Sequence, residues 1–322
     1  EDPQKLLQDY DAVLLTIGSH QGVRLPMEGS DLPGVLLNID FLQNCAMEQD
    51  TGIGKRVIVL GGGNVAFDCA RSAKRLGAEE VHLACLEARE AMTADEEEIL
   101  QAQEEGVQIY PARTFERITG SDRVTGVDFM QVRSFSFDEN HRAVIEKEEG
   151  SEQHIAADTV IFATGQHPAG TDQFGLELGR AGSIAVAEDT GASSVEGIFA
   201  AGDVVYGTKS VIKAIAAGRD AASAIDRYLG GDGDISETLA PEQIRDPHIG
   251  KMEHFGDLER KQPRIRACAE RADNFDQVDF GICDGDICGE TERCLQCDLR
   301  LDIAPPRLWN EFTERKEVQA NE

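Results

Sequence analysis

Short runs of apolar residues, each bounded by glycine or by charged residues, recur along the first two thirds of the chain. The run at residues 57–60 is typical of a strand buried on both faces, and three glycines follow it directly. Apolar and small residues then recur at helical spacing up to Leu76, and Gly77 predicts the end of the helix. Residues 81–86 form the next apolar run. The pattern therefore predicts a strand, a tight turn, a helix and a second strand.

Two further apolar strands begin after an aspartate and end in a turn of small residues. They are predicted at residues 11–18 and 158–165, on either side of the glycine-rich unit. Between the unit and the second of these strands, residues 95–105 have a helical pattern. In residues 123–133 and 143–155, apolar and polar residues then alternate on either side of a turn at 138–140, which predicts antiparallel strands. The pattern therefore predicts an α/β fold in which one domain is inserted into another.

The glycines at the centre of this pattern have the spacing of a dinucleotide-binding turn. Gly61 permits the turn, Gly63 lets a pyrophosphate approach the backbone, and Ala66 lets the helix pack on the strand. The first amides of the helix, at Asn64 and Val65, would face the phosphates together with the positive end of the helix dipole. The alternative is a strand, turn and helix that bind no ligand.

The strand after this helix ends beside the expected position of the adenosine ribose. An acid there favours a free 2′-hydroxyl, and an arginine favours a 2′-phosphate. Glu87 stands 26 positions after Gly61, slightly beyond the usual spacing of about 20. The residue favours NADH over NADPH, although Arg89 leaves the phosphate-binding alternative open, and Glu87 as a solvated loop acid is the other alternative.

A second ligand site is predicted late in the chain. Residues 196–203 form a strand in which Gly202 leaves space and Asp203 is directed at a ligand hydroxyl. The helix that begins at Ser210 can stabilise negative charge on a bound ring through its N-terminus, as on a reduced flavin.

Composition narrows the classes of partner. The 322 residues, 41% of them hydrophobic, are enough for two domains, and 60 acids against 31 bases give a net charge of −29. A nucleic acid is therefore not an expected partner. No apolar run approaches the roughly 18 residues of a membrane span and no signal peptide opens the chain, so we expect a soluble, cytoplasmic protein.

The eight cysteines are not spaced as a secreted disulfide framework, because five of them lie between Cys268 and Cys297. Cys283, Cys288, Cys294 and Cys297 are separated by four, five and two residues. Four thiols at this density can hold one metal centre, and the pair Cys294 and Cys297 is the first choice of ligands. An iron–sulfur cluster is favoured over zinc because the rest of the chain is typical of redox proteins; unliganded cysteines are the third alternative.

In combination, these motifs resemble a known family. The strand ending at Thr16 and Gly18, the Gly61 turn, the strand ending at Thr164 and Gly165, and Asp203 with its helix follow the order found in pyridine-nucleotide:flavin oxidoreductases related to the glutamate synthase small (beta) subunit. The resemblance spans roughly residues 6 to 230. It implies nested Rossmann-like domains for FAD and NAD(P), followed by a Cys-rich C-terminal extension.

The resemblance also implies roles for individual residues. Asp203 would hold the ribityl chain of FAD, and the amides near Ser210 and Val211 would face its pyrimidine edge. The complete set of predicted cofactor-binding residues is Thr16, Gly18, Gly61, Gly62, Gly63, Asn64, Val65, Glu87, Arg89, Thr164, Gly165, Gly202, Asp203, Ser210 and Val211. No side chain is predicted to act as a catalytic acid or base, because the cofactors supply the chemistry.

The sequence departs from the family pattern in three places. The family's FAD pyrophosphate turn would precede residue 11, so we expect an N-terminally truncated chain, a fragment or one half of a split enzyme with a separate N-terminal half. Leu86 and Glu87 stand where NADPH-using relatives carry paired arginines, which favours NADH. The third residue after Cys45 is Glu48 and not a second cysteine, so a Cys-x-x-Cys pair is absent there, which argues against a disulfide reductase.

The predicted domains are a partial FAD-binding domain at 1–38, an inserted NAD(P)H-binding domain at 39–157, the remainder of the FAD-binding domain at 158–232, and the C-terminal extension at 233–322. The predicted function is electron transfer from NADH through flavin to an iron–sulfur centre or to an electron-accepting partner protein. The alternatives are an NADPH-using electron donor of the glutamate synthase type and a non-catalytic scaffold subunit that binds nucleotide and cluster.

Overall fold

The computed structural model describes residues 2–137, 143–236 and 253–294. The chain divides into two units, of which the first comprises Glu1–Ser236 with Cys268–Phe275 and the second Glu237–Ala267 with Asp276–Glu322. Within the described residues, the strands are β1 (Val13–Leu15), β2 (Gln21–Gly22), β3 (Val35–Leu37), β4 (Arg56–Leu60), β5 (Glu80–Ala84), β6 (Gln108–Tyr110), β7 (Arg117–Gly120), β8 (Val124–Phe129), β9 (Val132–Phe137), β10 (Ala143–Lys147), β11 (Gln153–Ala156), β12 (Thr159–Phe162), β13 (Gln166–His167) and β14 (Ile198–Ala200). The α-helices there are α1 (Pro3–Leu6), α2 (Asn38–Ala46), α3 (Asn64–Arg75), α4 (Glu96–Glu104), α5 (Asp203–Tyr206), α6 (Val211–Tyr228), α7 (Cys268–Arg271) and α8 (Asp284–Glu292).

A five-stranded parallel sheet with the order β3-β12-β4-β5-β6 is the centre of the first unit. Its middle strand, β4, carries four fully buried residues in succession. Val57 and Val59 belong to the core that includes side chains of α2, α3 and α4, whereas Ile58 and Leu60 belong to the core on the other face. The predicted strand, turn, helix and strand are therefore confirmed, and the apolar run is uninterrupted because both faces of the sheet are covered.

The helix after the turn ends one residue earlier than its apolar pattern does. The last helical residue of α3 is Arg75, and Gly77 adopts a φ of 94° in the turn that follows. Leu76, which the pattern places on the buried face, is 40% exposed because it lies beyond the last helical turn. The helix predicted at residues 95–105 is confirmed as α4.

Strands β3 and β12 enter this sheet from distant parts of the sequence. Val160 pairs with Val35 on one side and with Ile58 on the other. The sheet thus contains residues from both sides of the predicted domain boundaries at 38/39 and 157/158, and those boundaries stay predictions.

The face of the sheet opposite the helices is covered by an antiparallel layer with the order β11-β8-β7. Ile118, Val127 and Ile155 bring its three strands into the shared core. A separate hairpin pairs β9 with β10, beginning at Phe137 and Ala143. The antiparallel strands predicted at residues 123–133 and 143–155 are therefore confirmed, and they divide between these two sheets. The turn predicted at 138–140 lies outside the described residues.

A second region of the first unit is built on the parallel pair β1 and β14. Val13 pairs with Ile198 and Leu15 with Ala200. The long helix α6 follows, with Ser210 as its N-cap: the side-chain oxygen of Ser210 accepts a hydrogen bond from the Lys213 amide. The short antiparallel pair β2 and β13 lies in the two connections between this pair and the five-stranded sheet.

A buried carboxylate fastens residues 268–275 to the first unit. The side chain of Glu105 is fully buried and accepts hydrogen bonds from Arg71, Arg75 and Arg271, the last at 2.9 Å. Burial alone would raise the pKa of Glu105, but the three guanidinium groups lower it below its ordinary value. The predicted C-terminal extension, 233–322, therefore contributes a segment to the first unit.

The second unit contains α8 and the residues around it. The Lys261 amide donates to Glu290 at 2.8 Å, and Nε of Arg293 donates to the Leu258 carbonyl at 3.1 Å. The guanidinium of Arg264 lies 4.5 Å from the centre of the Phe280 ring. These contacts connect residues 258–264 with α8 and its flanks.

Glu105→Gln should lower the free energy of unfolding by about 3 kcal/mol, because it leaves three arginines around a neutral buried group. Urea unfolding of the full chain measures the effect. Glu97→Gln on the same helix is the matched control, since Glu97 is exposed and accepts a hydrogen bond from the neighbouring Gln101 side chain, and its effect should stay within about 0.5 kcal/mol.

The difference in stability between the wild type and Glu105→Gln depends on pH. Because the pKa of Glu105 is lowered in the folded state, its contribution to stability is present above the unfolded value near 4.5 and is lost as the pH falls through the folded value. The difference in stability between the wild type and Glu105→Gln should therefore shrink below about pH 4.5. A difference that is constant from pH 7 to pH 3 would contradict this assignment of the buried charge.

Candidate functional site

The glycine turn lies at the carboxyl end of β4, where three neighbouring strands end side by side. Gly61 has a φ of 145°, and a Cβ atom there would lie 2.3 Å from the carbonyl oxygen of Ala163, the residue after β12. A Cβ atom on Gly62 would lie 2.9 Å from the Cβ of Cys85, the residue after β5. Both positions therefore require glycine for the turn to lie between its neighbours.

Gly63 is different because its missing side chain leaves open space. Among the described residues, a Cβ atom there would meet only the hydroxyl of Thr93, at 3.4 Å. Gly63 is also the N-cap of α3, and no side chain caps that helix. The first amides of α3 thus lack an intrahelical partner beside an open position, which is the geometry that an anionic ligand requires.

The side chain of Asn64 is held away from this open position. Its oxygen accepts a hydrogen bond from the Asp95 amide at 2.8 Å, and its nitrogen donates to the Asp95 carboxylate at 3.0 Å. What Asn64 and Val65 offer a ligand at the turn is therefore the backbone. The reciprocal bonds also join the N-termini of α3 and α4.

The segment between β5 and α4 folds against the turn. A Cβ atom on Gly62 would lie 3.1 Å from the Glu87 carboxylate, and the Ala94 amide donates to the Gly62 carbonyl at 3.2 Å. Glu87 therefore lies at the edge of the turn, where the ribose acceptor is expected. Arg89 is paired instead with Glu96, with 2.7 Å between Nη2 and Oε1.

Sequence reasoning missed Thr93, whose hydroxyl is the side-chain group next to Gly63. Thirty positions separate the two residues, and no motif connects them. Only the fold of residues 86–95 over the turn brings them together, so no signal in the sequence pattern would have found Thr93.

Cys85 lies beneath the same turn. Burial, with a further contribution from Glu87, raises the pKa of this thiol to about 12. Burial also raises the pKa of Cys69 on α3. Both side chains pack as small neutral groups, in the way that buried cysteines commonly do.

Thr164 and Gly165 follow β12 and contact the connection at Val23. The Thr164 hydroxyl donates to the Val23 carbonyl at 3.2 Å, and the Val23 amide donates to the Gly165 carbonyl at 3.1 Å. The structure thus brings Gly61 to Val65, Glu87, Thr164 and Gly165 to one edge of the five-stranded sheet.

The other predicted cofactor residues meet at the carboxyl end of the β1 and β14 pair. Thr16 and Gly18 follow β1, and Gly202, with a φ of 78°, precedes Asp203 at the start of α5. The Asp203 carboxylate accepts a hydrogen bond from the Lys209 amide at 3.3 Å. A cavity of about 390 Å³ lies here, lined by Asp203, Lys209, Ser210, Val211, Ala214 and Ile215.

The cysteine cluster is only partly described. Cys283 is the N-cap of α8, Cys288 lies within that helix, and Cys294 follows it, whereas Cys297 lies outside the described residues. The Cys283 thiol donates to the Asp286 carboxylate at 3.1 Å. In the part of the chain that the structure describes, no three His, Cys, Asp or Glu side chains are grouped to hold a metal ion, and the metal site stays a prediction.

Among the described residues, no helix is both long enough and apolar enough to cross a bilayer.

Substituting Gly63 and Gly61 should separate ligand binding from folding. Gly63→Ala places a methyl group in the open position, so the Kd for a nicotinamide dinucleotide should rise at least about tenfold while the melting temperature changes little. Gly61→Ala should instead destabilise the fold by about 2 kcal/mol or more, because its Cβ meets backbone. Calorimetric titration and thermal unfolding of both variants are the measurements; unaltered binding by Gly63→Ala would contradict this reading of the turn.

The similarity to known proteins covers both the Gly61 turn and the β1 and β14 pair. Residues 3–218 match the pyridine nucleotide-disulphide oxidoreductase family. The chain is 34% identical over 307 residues to the NADP(+)-dependent formate dehydrogenase subunit beta of Moorella thermoacetica, with 91% of this chain and 43% of the relative covered. It is 37% identical over 243 residues to the glutamate synthase [NADPH] small chain of Halomonas elongata, with 70% and 51% covered. The chain therefore spans about half the length of these curated relatives.

A solved structure has the same fold. FprA of Mycobacterium tuberculosis, determined in complex with NADPH, matches with a TM-score of 0.59 at 19% identity, covering 71% of this chain and 66% of FprA. The predicted α/β fold class and the predicted resemblance are thus both confirmed. Because the family match covers the five-stranded sheet, the β1 and β14 pair and the first part of α6, the chain belongs to the pyridine nucleotide-disulphide oxidoreductase family.

Proposed function

We propose that the chain is part of an FAD-dependent NAD(P)H oxidoreductase that takes electrons from NADH and passes them through flavin to an iron–sulfur centre or to a partner protein. The observation that carries the proposal is the open position at Gly63, with the unpaired amides of α3 on one side and the Glu87 carboxylate near the turn. An anionic diphosphate and a ribose hydroxyl are the two groups that such a site recognises.

The pyrophosphate would be held by backbone. The amides of Asn64 and Val65 donate hydrogen bonds at the positive end of the α3 dipole, and the bare Cα of Gly63 permits close approach. Thr93 adds a hydroxyl beside the same position. These groups bind and orient the dinucleotide without acting as acid or base.

The preference for NADH rests on the charge at the ribose position. Glu87 can accept hydrogen bonds from ribose hydroxyl groups, and its negative charge repels a 2′-phosphate. The names of the two curated relatives above state NADP(+) or NADPH. The proposal for this chain follows its own residues, Leu86 and Glu87.

The site for FAD fits the residues at the end of β1 and β14. Gly202 and Gly18 leave space for a ligand, since a Cβ atom on either would meet no described atom within 4 Å. Asp203 borders the cavity and can accept from ribityl hydroxyls, and Thr16 lies at the same edge. The N-terminus of α6, at Ser210 and Val211, supplies amides and a positive dipole end. FAD held by these residues would supply the chemistry of hydride acceptance and single-electron release.

The electron acceptor is proposed to be a cluster or a separate protein. Support for a cluster comes from the spacing of Cys283, Cys288, Cys294 and Cys297, with zinc as the alternative occupant. Support for a partner comes from the relatives, one named as a beta subunit and the other as a small chain. A glutamate synthase type of donor and a scaffold subunit without flavin are the alternative functions. We propose a cytoplasmic location, because the cysteines are not spaced as a disulfide framework.

The full chain, purified without oxygen, should show flavin bands and a broad iron–sulfur shoulder, and NADH should bleach the flavin bands. Cys294→Ser together with Cys297→Ser should remove the iron, whereas Cys268→Ser, outside the four-cysteine cluster, should retain it. Visible spectra and iron content measure both. Colourless protein that still binds NADH would contradict the binding of flavin and cluster by this chain and would leave it the nucleotide-binding part alone.

Leu86→Arg combined with Glu87→Arg should shift the preference from NADH towards NADPH. The double variant removes the acceptor and adds two cations for a 2′-phosphate, so the ratio of the two kcat/KM values should change by about tenfold or more. Glu90→Arg, a nearby acid farther along the same segment, is the control for a general change of charge. An unchanged ratio in the double variant would remove Glu87 from the selectivity.

A further inference from the structure

The ion pair between Arg89 and Glu96 lies beside the proposed ribose position. Arg89 follows Glu87 by two residues, and Glu96 is the first residue of α4. Nη2 of Arg89 lies 2.7 Å from Oε1 of Glu96. Arg89 is the only cationic residue in the sequence between Leu86 and Asp95, so it is the cation that this segment can offer a ligand.

The position of Glu96 is fixed by the glycine turn itself. Asp95, the N-cap of α4, exchanges two hydrogen bonds with Asn64, the first residue of α3. The preceding residue, Ala94, donates to the Gly62 carbonyl at 3.2 Å. The first turn of α4 is therefore fastened to the turn that would bind the pyrophosphate, and Glu96 is held close to the site.

We propose that Glu96 determines dinucleotide specificity by engaging Arg89, so that the one cation of residues 86–95 is not available to a 2′-phosphate. The inference rests on the proposed binding of a nicotinamide dinucleotide at the Gly61 turn. A 2′-phosphate gains most from an arginine, whose fork of donors matches its oxygens. With Arg89 neutralised by Glu96, the remaining charge at the ribose position is that of Glu87.

The pair is partly exposed, with 33% of the Arg89 side chain and 63% of the Glu96 side chain accessible. Exposed ion pairs are individually weak, so a single substitution is enough to release the arginine. Removing the Glu96 charge both frees Arg89 and takes away one repulsive carboxylate. Both dinucleotides carry the diphosphate and feel the loss of the carboxylate, whereas only NADPH carries the 2′-phosphate that the released arginine can contact.

The test is equilibrium binding of NADH and of NADPH to the full chain at low ionic strength, where exposed charges are least screened. Glu96→Gln should lower the Kd for NADPH about tenfold relative to the Kd for NADH. Glu97→Gln, which removes the next charge on the same helix turn, is the matched control and should leave the ratio of the two Kd values unchanged. The ratio of the two Kd values is insensitive to a general loss of structure.

Arg89→Ala identifies the group that responds. In an Arg89→Ala background, Glu96→Gln should lose most of its effect on the Kd for NADPH, because the arginine that it would release is absent. The role of Glu96 would be overturned if Glu96→Gln left the ratio of the two Kd values unchanged, or if it tightened NADPH binding equally with and without Arg89. In either case, binding of NADH would still support the proposed site. Failure of the wild-type chain to bind either dinucleotide would overturn the proposed site and this inference with it.

Discussion

Backbone contact without intervening side chains at the carboxyl end of β4 determines the geometry of the proposed nucleotide site. Gly61 lies against the carbonyl of Ala163, and Gly62 lies against Cys85, so the ends of β12, β4 and β5 are in direct contact at the turn. Every other group of the site is placed relative to this junction. Because a side chain at either glycine would have to displace backbone or buried atoms, the turn also ties ligand recognition to the packing of the sheet.

Charge pairing also holds parts of this fold together, in a chain whose net charge is −29. Its acids far outnumber its bases, yet three arginines converge on the one fully buried carboxylate among the described ion pairs, Glu105. The arrangement keeps that carboxylate ionised inside the protein and joins α3, α4 and residues 268–275.

Local features of this fold could be predicted from the sequence, whereas long-range ones could not. The apolar run at 57–60, the glycines and the helix are contiguous, so the turn was predictable and so was the neighbourhood of Glu87. The pairing of Val160 with both Val35 and Ile58 joins segments from distant parts of the chain, and no periodicity encodes it. Thr93 and the partner of Arg89 depend on how residues 86–95 fold over the turn. For the cysteines, spacing indicates a metal centre, but the described residues do not converge on one.

The thiol of Cys85 shows what its burial beneath the turn means for reactivity. Nucleophilic attack by cysteine requires the thiolate, and a pKa of about 12 leaves very little of it at neutral pH. Electrophiles and peroxides therefore react slowly with this sulfur while the sheet is folded, even though the protein belongs to an oxidoreductase family. The packing that closes the turn thus also protects the thiol beneath it from oxidation.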